Sequence, residues 1–504
     1  MQMLQFLVAI FARYGIVNAK FIAKLKAKGV LMMRKIVQAA GVVAGLVMLW
    51  GCTEGKDPVD YSTVTEYGTP DTTEFSTSAG ESGSAVMFQA FSWQSHKMSK
   101  TWWTKISANA AEIKANFEWV WFPPVSNSGS ANGYLPRQWQ NYSSEYGTES
   151  QLRAAISDIA PAKAIGDIVI NHRVGTTGWG DFTMPTLGTE QGKNYQAICS
   201  TDEGFEKDEN MKKVSGSMRG AKDSGDNYDG GRDLDHTNEV VRQGVVDWLN
   251  ELRAMGFAGW RYDYVRGYAA KYTGYYNAMS DAEFSVGELW VDDNSRISSW
   301  IEATKESVDG VAGAPSMAFD FAAKNALQTA FGKAETSTSY TVIPDGSYGA
   351  LGDSNLLFRL KPQYAVTFVD NHDTGSTQNM LALDANDVGA AYVYILTHPG
   401  IPCVAWQHYF GVVSDSLASR RVGGTTLKLH DHIQYLISLR KALGITNVSA
   451  ISVSDKSSST YTARITGTKG EVVVSIGSSL SGCPNGFDTK YSGTNFRIHV
   501  KKNA

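Results

Sequence analysis

The chain has only four cysteines in 504 residues, Cys52, Cys199, Cys403 and Cys483, and no two of them form a C-x-x-C pair. Beyond Cys52 their number is odd and their spacing wide, which excludes a disulfide framework. Cys403 lies in the apolar run Gly400-Ile-Pro-Cys-Val-Ala-Trp406 and reads as a small buried hydrophobe. Basic excess is also missing. The 46 Lys and Arg face 50 Asp and Glu, giving a net charge of −4, the wrong sign for a nucleic-acid partner, and none is expected. The apolar run Ile36–Leu49 is too short for a comfortable membrane span. From Thr53 to Ser84 apolar residues are nearly absent, so this stretch cannot bury a core and reads as a flexible tether over 53–84.

What is present near the start is a charged Met33-Arg-Lys, then that short apolar run, then Trp50-Gly51-Cys52. This order reads as an export signal over 33–52. Leu49-Trp-Gly-Cys52 resembles a bacterial lipoprotein box, which implies lipidation of Cys52 and an exported, membrane-anchored chain at the periplasmic or outer face. A plain signal peptide with an incidental cysteine is the alternative. Residues 1–32 precede the signal and read as an upstream start or an extension, with Met32 or Met33 as the true start.

From residue 85 onward, short apolar runs alternate with helical patterns. Val86–Phe91, Glu118–Phe122, Ala164–Ile170, Phe257–Tyr262, Phe284–Leu289, Met317–Asp320, Ala365–Val369 and Gly400–Trp406 read as eight strands. Val240–Ala254 reads as a helix stopped by Gly256. Eight strands separated by helices predict an α/β fold, a (β/α)8 barrel over 85–172 and 237–444. One connection is abnormal: 173–236 is rich in Gly, Asp and Ser, shows no clear helix, and is expected to form an inserted small domain. After the helix around Asp431–Leu443, the runs Tyr461–Ile465, Glu471–Ile476 and Asn495–Val500 predict an antiparallel β-domain over 445–504.

Three of the strand candidates end in carboxylates: Gly259-Trp-Arg-Tyr-Asp263, Phe284-Ser-Val-Gly-Glu288 and Phe368-Val-Asp-Asn-His-Asp373. Parallel strands that point acids out of one end of a barrel suit glycoside hydrolysis, which needs a nucleophile, an acid and electrostatic support. In the third segment Asp370 competes with Asp373 for that role. Arg261 stands two residues before Asp263 and shares its face, so it sets a fixed positive charge beside it.

Taken in order, Asp167-Ile-Val-Ile-Asn-His172, Gly259–Asp263, Gly287-Glu-Leu-Trp290 and Phe368–Asp373 resemble the four sequence regions of the α-amylase family, glycoside hydrolase family 13. Gly133-Tyr-Leu-Pro136, Tyr394–Cys403 and the continuation of the last region to Gln378 resemble its plant-type members. The likeness covers about residues 85–504, the insert and β-domain more loosely. It implies Asp263 as nucleophile, Glu288 as general acid and base, and Asp373 rather than Asp370 as the third acid. It further implies that Tyr134, His172, His372, Arg261 and Arg266 contact the sugar. Asn171, Asp233 and the Gly267 carbonyl are implied ligands of a structural Ca2+, which wants several oxygens.

The activity so implied is retaining endo-hydrolysis of α-1,4 bonds in starch and related glucans, by a monomer. A maltooligosaccharide-forming or glycosyl-transferring relative is the alternative on the same barrel. A non-catalytic glycan-binding lipoprotein predicts loss of an acid, and all three are present. One departure is visible: Leu360-Lys361 stands where plant-type members carry a Trp pair that holds starch granules, which favours soluble glucans.

Overall fold

The computed structural model describes residue 79 and residues 82–501, apart from 177, 189–194, 333–346, 376–382 and 412–416. The segment read as an export signal, Cys52 and most of the stretch read as a tether lie outside the described residues, as do residues 376–378 of the last acidic segment.

Eight parallel strands close into a barrel: β1 Met87–Gln89, β2 Trp119–Trp121, β3 Lys163–Ile168, β4 Phe257–Tyr262, β5 Phe284–Gly287, β6 Met317–Phe319, β7 Ala365–Phe368 and β8 Ile401–Ala405. Each pairs with its successor, and β8 returns to β1. Nearly every strand residue is buried, because side chains fill the barrel inside and helices cover it outside. That double burial is why these strands read as continuous apolar runs rather than alternating ones. β4 has the expected bounds, whereas the others are trimmed at one or both ends. The acids stand just beyond the strand ends and are still held by the ladder: the Asp263 N–H donates to the Ile168 carbonyl at 3.0 Å and the Glu288 N–H to that of Tyr262 at 2.9 Å.

The helix Glu239–Met255 begins at Asn238, whose side chain accepts from the Val240 N–H. It buries Val241, Val245, Trp248, Leu249 and Leu252 at helical spacing. It stops at Gly256, whose φ of 116° only glycine adopts freely.

Between β3 and this helix lies the insert. Its two ends form an antiparallel ribbon, His172–Arg173 against Arg232–Asp233. It does contain helix, contrary to expectation: a turn at Gly204–Lys207 and 3-10 turns at Tyr195–Ala197, Met211–Lys213 and Gly216–Met218. These were illegible because turns of three or four residues carry no hydrophobic period. The fully buried Arg232 guanidinium pairs with Asp202 and Glu203 and gives the insert a polar core.

The C-terminal sheet has five antiparallel strands: β9 Ala450–Lys456, β10 Thr460–Thr466, β11 Glu471–Gly477, β12 Phe487–Ser492 and β13 Phe496–Lys501, in the order 9-10-11-13-12. The sequence exposed only three of them. β9 and β12 are the edge strands; β9 is mostly solvent-facing and rich in Ser, Asp and Lys, so its pattern resembles loop. The sheet docks on the barrel through buried histidines: His398 Nε2 meets the Tyr461 hydroxyl at 2.8 Å, and His432 Nδ1 meets that of Tyr491 at 2.6 Å.

Cys199 and Cys403 are buried and Cys483 exposed, all three as free thiols. Leu360 is half exposed, and Lys361 pairs with Glu302 at 2.7 Å, so this surface presents an aliphatic and an occupied ammonium rather than an aromatic pair. Among the described residues no helix is long and apolar enough to cross a membrane.

Candidate active site

At the C-terminal end of β3, β4 and β5 one guanidinium gathers three carboxylates. Arg261 Nη1 lies 2.8 Å from both Asp167 Oδ1 and Asp263 Oδ1, and Nη2 lies 2.6 Å from Glu288 Oε1. The register explains the meeting: Asp167 and Arg261 are cross-strand partners on β3 and β4, and Tyr262 pairs with Gly287 of β5, immediately before Glu288. All four groups are buried. Burial alone would lower the Arg261 pKa, yet the surrounding acids hold it well above the ordinary range, so the guanidinium stays charged.

One positive charge does not neutralise this many acids. The Glu288 carboxyl is pushed up to about 8, first by burial, then by the negative charges of Asp263 and Asp373, against the pull of Arg261. Asp167 rises to about 7, again first by burial and despite Arg261, and its Oδ2 accepts from the Tyr134 hydroxyl at 2.8 Å and from Trp121 Nε1 at 3.0 Å. Leu289 is buried next to Glu288, while Trp290 stacks on Phe321 at 5.1 Å.

Asp373 follows β7, and His372 joins it to the aromatic wall. The His372 ring lies parallel to Tyr134 at 5.2 Å and to Trp93 at 6.2 Å. Its Nδ1 meets Gln89 Nε2 at 2.9 Å. The amide nitrogen is a donor, so Nδ1 accepts and the proton sits on Nε2, which faces Asp373 Oδ2 at 3.3 Å. Burial first, then Arg261, holds the His372 pKa well below its usual value, and the ring is neutral. His172 is likewise lowered by burial; its Nε2 meets the Tyr134 carbonyl at 2.8 Å and its ring stacks on Tyr228 at 3.9 Å. Two neutral imidazoles can hydrogen-bond hydroxyls but are poor proton donors for an ether oxygen.

Asp370 is not available for chemistry. It is buried and its Oδ1 accepts from Lys324 Nζ at 2.6 Å. Arg266, expected at the sugar, has its guanidinium on Asp226 of the insert, with Nε 2.7 Å from Oδ2.

The residues expected to hold Ca2+ are adjacent. The Asn171 amide contacts Asp233 Oδ1 through Nδ2 at 3.2 Å, and its Oδ1 lies where a Cβ on Gly267 would fall, so glycine is required there. Asp223 Oδ1 accepts from the Gly225 N–H at 3.1 Å, and its buried Oδ2 has no hydrogen-bond partner among the described residues. Asp233 is pushed up to about 8, first by burial and then by the charges of Asp223, Asp202 and Glu203. A surplus of buried negative charge, an orphaned carboxylate oxygen and only hard oxygen donors fit Ca2+. Among the described residues no three His, Cys, Asp or Glu side chains converge as a ready cluster, so an ion here also needs the Asn171 amide and backbone oxygens.

The sequence reading missed Asp167, Gln89, Trp93, Trp121 and Tyr228 as parts of the site, along with Asp223 as a specific ligand candidate. Asp167 had a usable signal: it is the first acid of a segment already singled out, on the strand next to Arg261.

Comparison with known proteins agrees with this architecture. Residues 113–414 match the family model described as alpha amylase, catalytic domain, and residues 427–489 match domain C of glucan 1,4-alpha-maltotetraohydrolase. The chain is 34% identical to the probable alpha-amylase 2 of Arabidopsis thaliana over 83% of its own length and 94% of that protein's. It is 29% identical to the glucan 1,4-alpha-maltotetraohydrolase of Stutzerimonas stutzeri over 79% and 69% of the two chains. The crystal structure of the Geobacillus thermoleovorans alpha-amylase complexed with acarbose superposes with a TM-score of 0.60 at 15% identity, covering 83% of this chain and 98% of that one, and shares the fold.

Proposed function

The chain belongs to the alpha-amylase family, and from that premise we propose the division of labour by which it hydrolyses internal α-1,4-glucosidic bonds of starch and related glucans. The carrying observation is the single guanidinium of Arg261 bound to Asp263 and Glu288 together. Asp263, fixed through Oδ1, attacks the anomeric carbon of the bound glucose. Glu288, protonated through burial and its acidic neighbours, gives its proton to the glycosidic oxygen, and the chain beyond the cut leaves with a free hydroxyl. A glycosyl ester on Asp263 remains. Water then enters, Glu288 takes its proton, and the ester opens with the original α configuration restored. Asp373, with His372 and His172, binds the sugar hydroxyls and favours the flattened ring, and Tyr134 packs on the sugar.

Asn171, Asp233, Asp223 and the Gly267 carbonyl are proposed to hold Ca2+, which supplies charge neutralisation and a cross-link, not chemistry. The Asn171 backbone carbonyl already accepts from the Leu234 N–H at 2.9 Å, so the ion would clamp insert to barrel at that point. Cys52 is proposed as the lipidated N-terminus of an exported enzyme, on the strength of its box and the tether that follows.

A second reading, release of short maltooligosaccharides of fixed length, is favoured by the match of residues 427–489 to domain C of a maltotetraohydrolase. Sizing the early products from amylose separates the two: a broad ladder marks random internal cutting, and one dominant oligomer marks the second reading.

Asp263→Asn is expected to lower kcat/KM on a soluble glucan by about 10⁴-fold or more, and Glu288→Gln by about 10²–10⁴-fold. Polarimetry should show the first-formed product as the α anomer; a β product excludes the ester route.

Because the Glu288 carboxyl is raised and must be protonated to act, activity is expected to fall as pH rises through its pKa of about 8. An aryl glycoside whose leaving group needs no proton should lose that alkaline limb; its persistence would assign the limb to another group.

Chelation should lower the melting temperature and Ca2+ should restore it. An unchanged melting temperature removes Ca2+ from this account. Mass spectrometry of the mature N-terminus decides lipidation: an unmodified Cys52, or cleavage elsewhere, ends that part of the reading.

A further inference from the structure

The residue that the mechanism leaves unused is Asp370, and the structure gives it an elaborate setting. Its carboxylate and the Lys324 ammonium are both almost wholly buried, 2.6 Å apart. Lys324 stands on the helix Phe321–Phe331, which follows β6 and is fixed by Asp320. One oxygen of Asp320 accepts from the Ala323 N–H and the other from the Phe358 N–H. From β8 and its following turn, His408 Nε2 approaches Asp370 Oδ2 at 3.6 Å, and Gln407 Nε2 donates to the Asn371 carbonyl at 3.0 Å. The chain just after Asp370 is then tied in steps. The Thr374 hydroxyl donates to Asp370 Oδ1 at 3.0 Å and accepts from the Asn371 N–H at 3.0 Å. The Asn371 side chain accepts from the N–H groups of Asp373 and Thr374 at 2.9 Å each.

We propose that the buried Lys324–Asp370 ion pair is a positioning device for Asp373: it fixes the turn Asp370–Gly375 from below, so that the third acid meets the sugar without searching. The proposal rests on Asp373 having the role assigned above. Three considerations support it. The pair joins elements following β6, β7 and β8 at one point, and nothing in the protonation chemistry needs a fourth acid there. Burying two charges is expensive, and a shape-matched apolar pair is often as stable, so stability alone is weak reason for them. The Thr374 hydroxyl ties Asp370 to the Asn371 N–H, and the Asn371 side chain in turn holds the backbone N–H of Asp373 itself.

The test is a double-mutant cycle. The neutral pair Lys324→Gln with Asp370→Asn keeps amide partners in place of the charges, and Thr374→Val cuts the relay without changing side-chain shape. Each is made in the native chain and again with Asp373→Asn, and kcat and KM are measured on an activated maltooligosaccharide, with thermal unfolding as the check on folding. In the native chain we expect kcat to fall about 10–100-fold, as for a displaced catalytic group, with KM within about threefold. With Asp373→Asn already present, the same changes should cost less than about threefold, because the group they position is gone. Equal losses in both backgrounds would overturn the proposal. If the neutral pair fails to fold, Thr374→Val alone carries the cycle with the same criterion. Full activity of Asp373→Asn by itself would instead remove the role of Asp373, a result distinct from additivity.

Discussion

Arg261 is the group on which the rest of the site depends. A guanidinium buried at the end of a barrel strand is tolerated only with its charge matched, and here it faces Asp167, Asp263 and Glu288 at once. Burial comes first in placing protons here, and the mismatch of one cation with several acids adds to it. Full ionisation of all the acids is too costly in a buried site, so some retain protons near neutral pH, and the pKa values of Glu288 and Asp167 rise to about 8 and about 7. A protonated acid in this site therefore follows from burial together with charge counting, not from a special property of one glutamate. Asp263, bound to the same guanidinium through Oδ1, gains orientation from it.

Barrel geometry turns that electrostatic arrangement into a precise one. Asp167 and Arg261 face each other across the β3–β4 ladder, and Asp263 and Glu288 continue the hydrogen bonding one residue past the strand ends. A slip of one residue in that register would send Arg261 to the other face of the sheet and dissolve the whole charge cluster. The aromatic wall is built differently. Trp93, Tyr134 and His372 come from the loops after β1, β2 and β7 and lie nearly parallel, so their order depends on stacking and on Gln89 and Asp167, not on the ladder alone.

This division explains what could be read in the sequence. Strands buried on both faces write continuous apolar runs, and an acid straight after such a run marks a strand end. That made the barrel legible and pointed to Asp263, Glu288 and the segment Asp370–Asp373. Preferring Asp373 to Asp370 rested on the family resemblance, because the ion-pair partner that occupies Asp370, Lys324, stands 46 residues earlier in the chain. Asp167, Gln89 and Trp121 escaped notice for a related reason: their roles exist only once strands distant in sequence are neighbours. The edge strands β9 and β12 and the short turns of the insert were lost because solvent-facing strands and three-residue turns leave no periodic signal.

The insert has a deeper connection to the cleft than its irregular sequence suggests. Asn171 and His172 are consecutive, yet the first turns its amide to Asp233 and Gly267 while the second joins the aromatic wall through the Tyr134 carbonyl. The insert replies with a matching pair of contacts: the Tyr228 N–H donates to Asp233 Oδ2 at 3.0 Å while its ring covers His172. The acid-rich loop and the wall are thus two sides of one short stretch of backbone. Tyr228 therefore touches both, its backbone on Asp233 and its ring on His172.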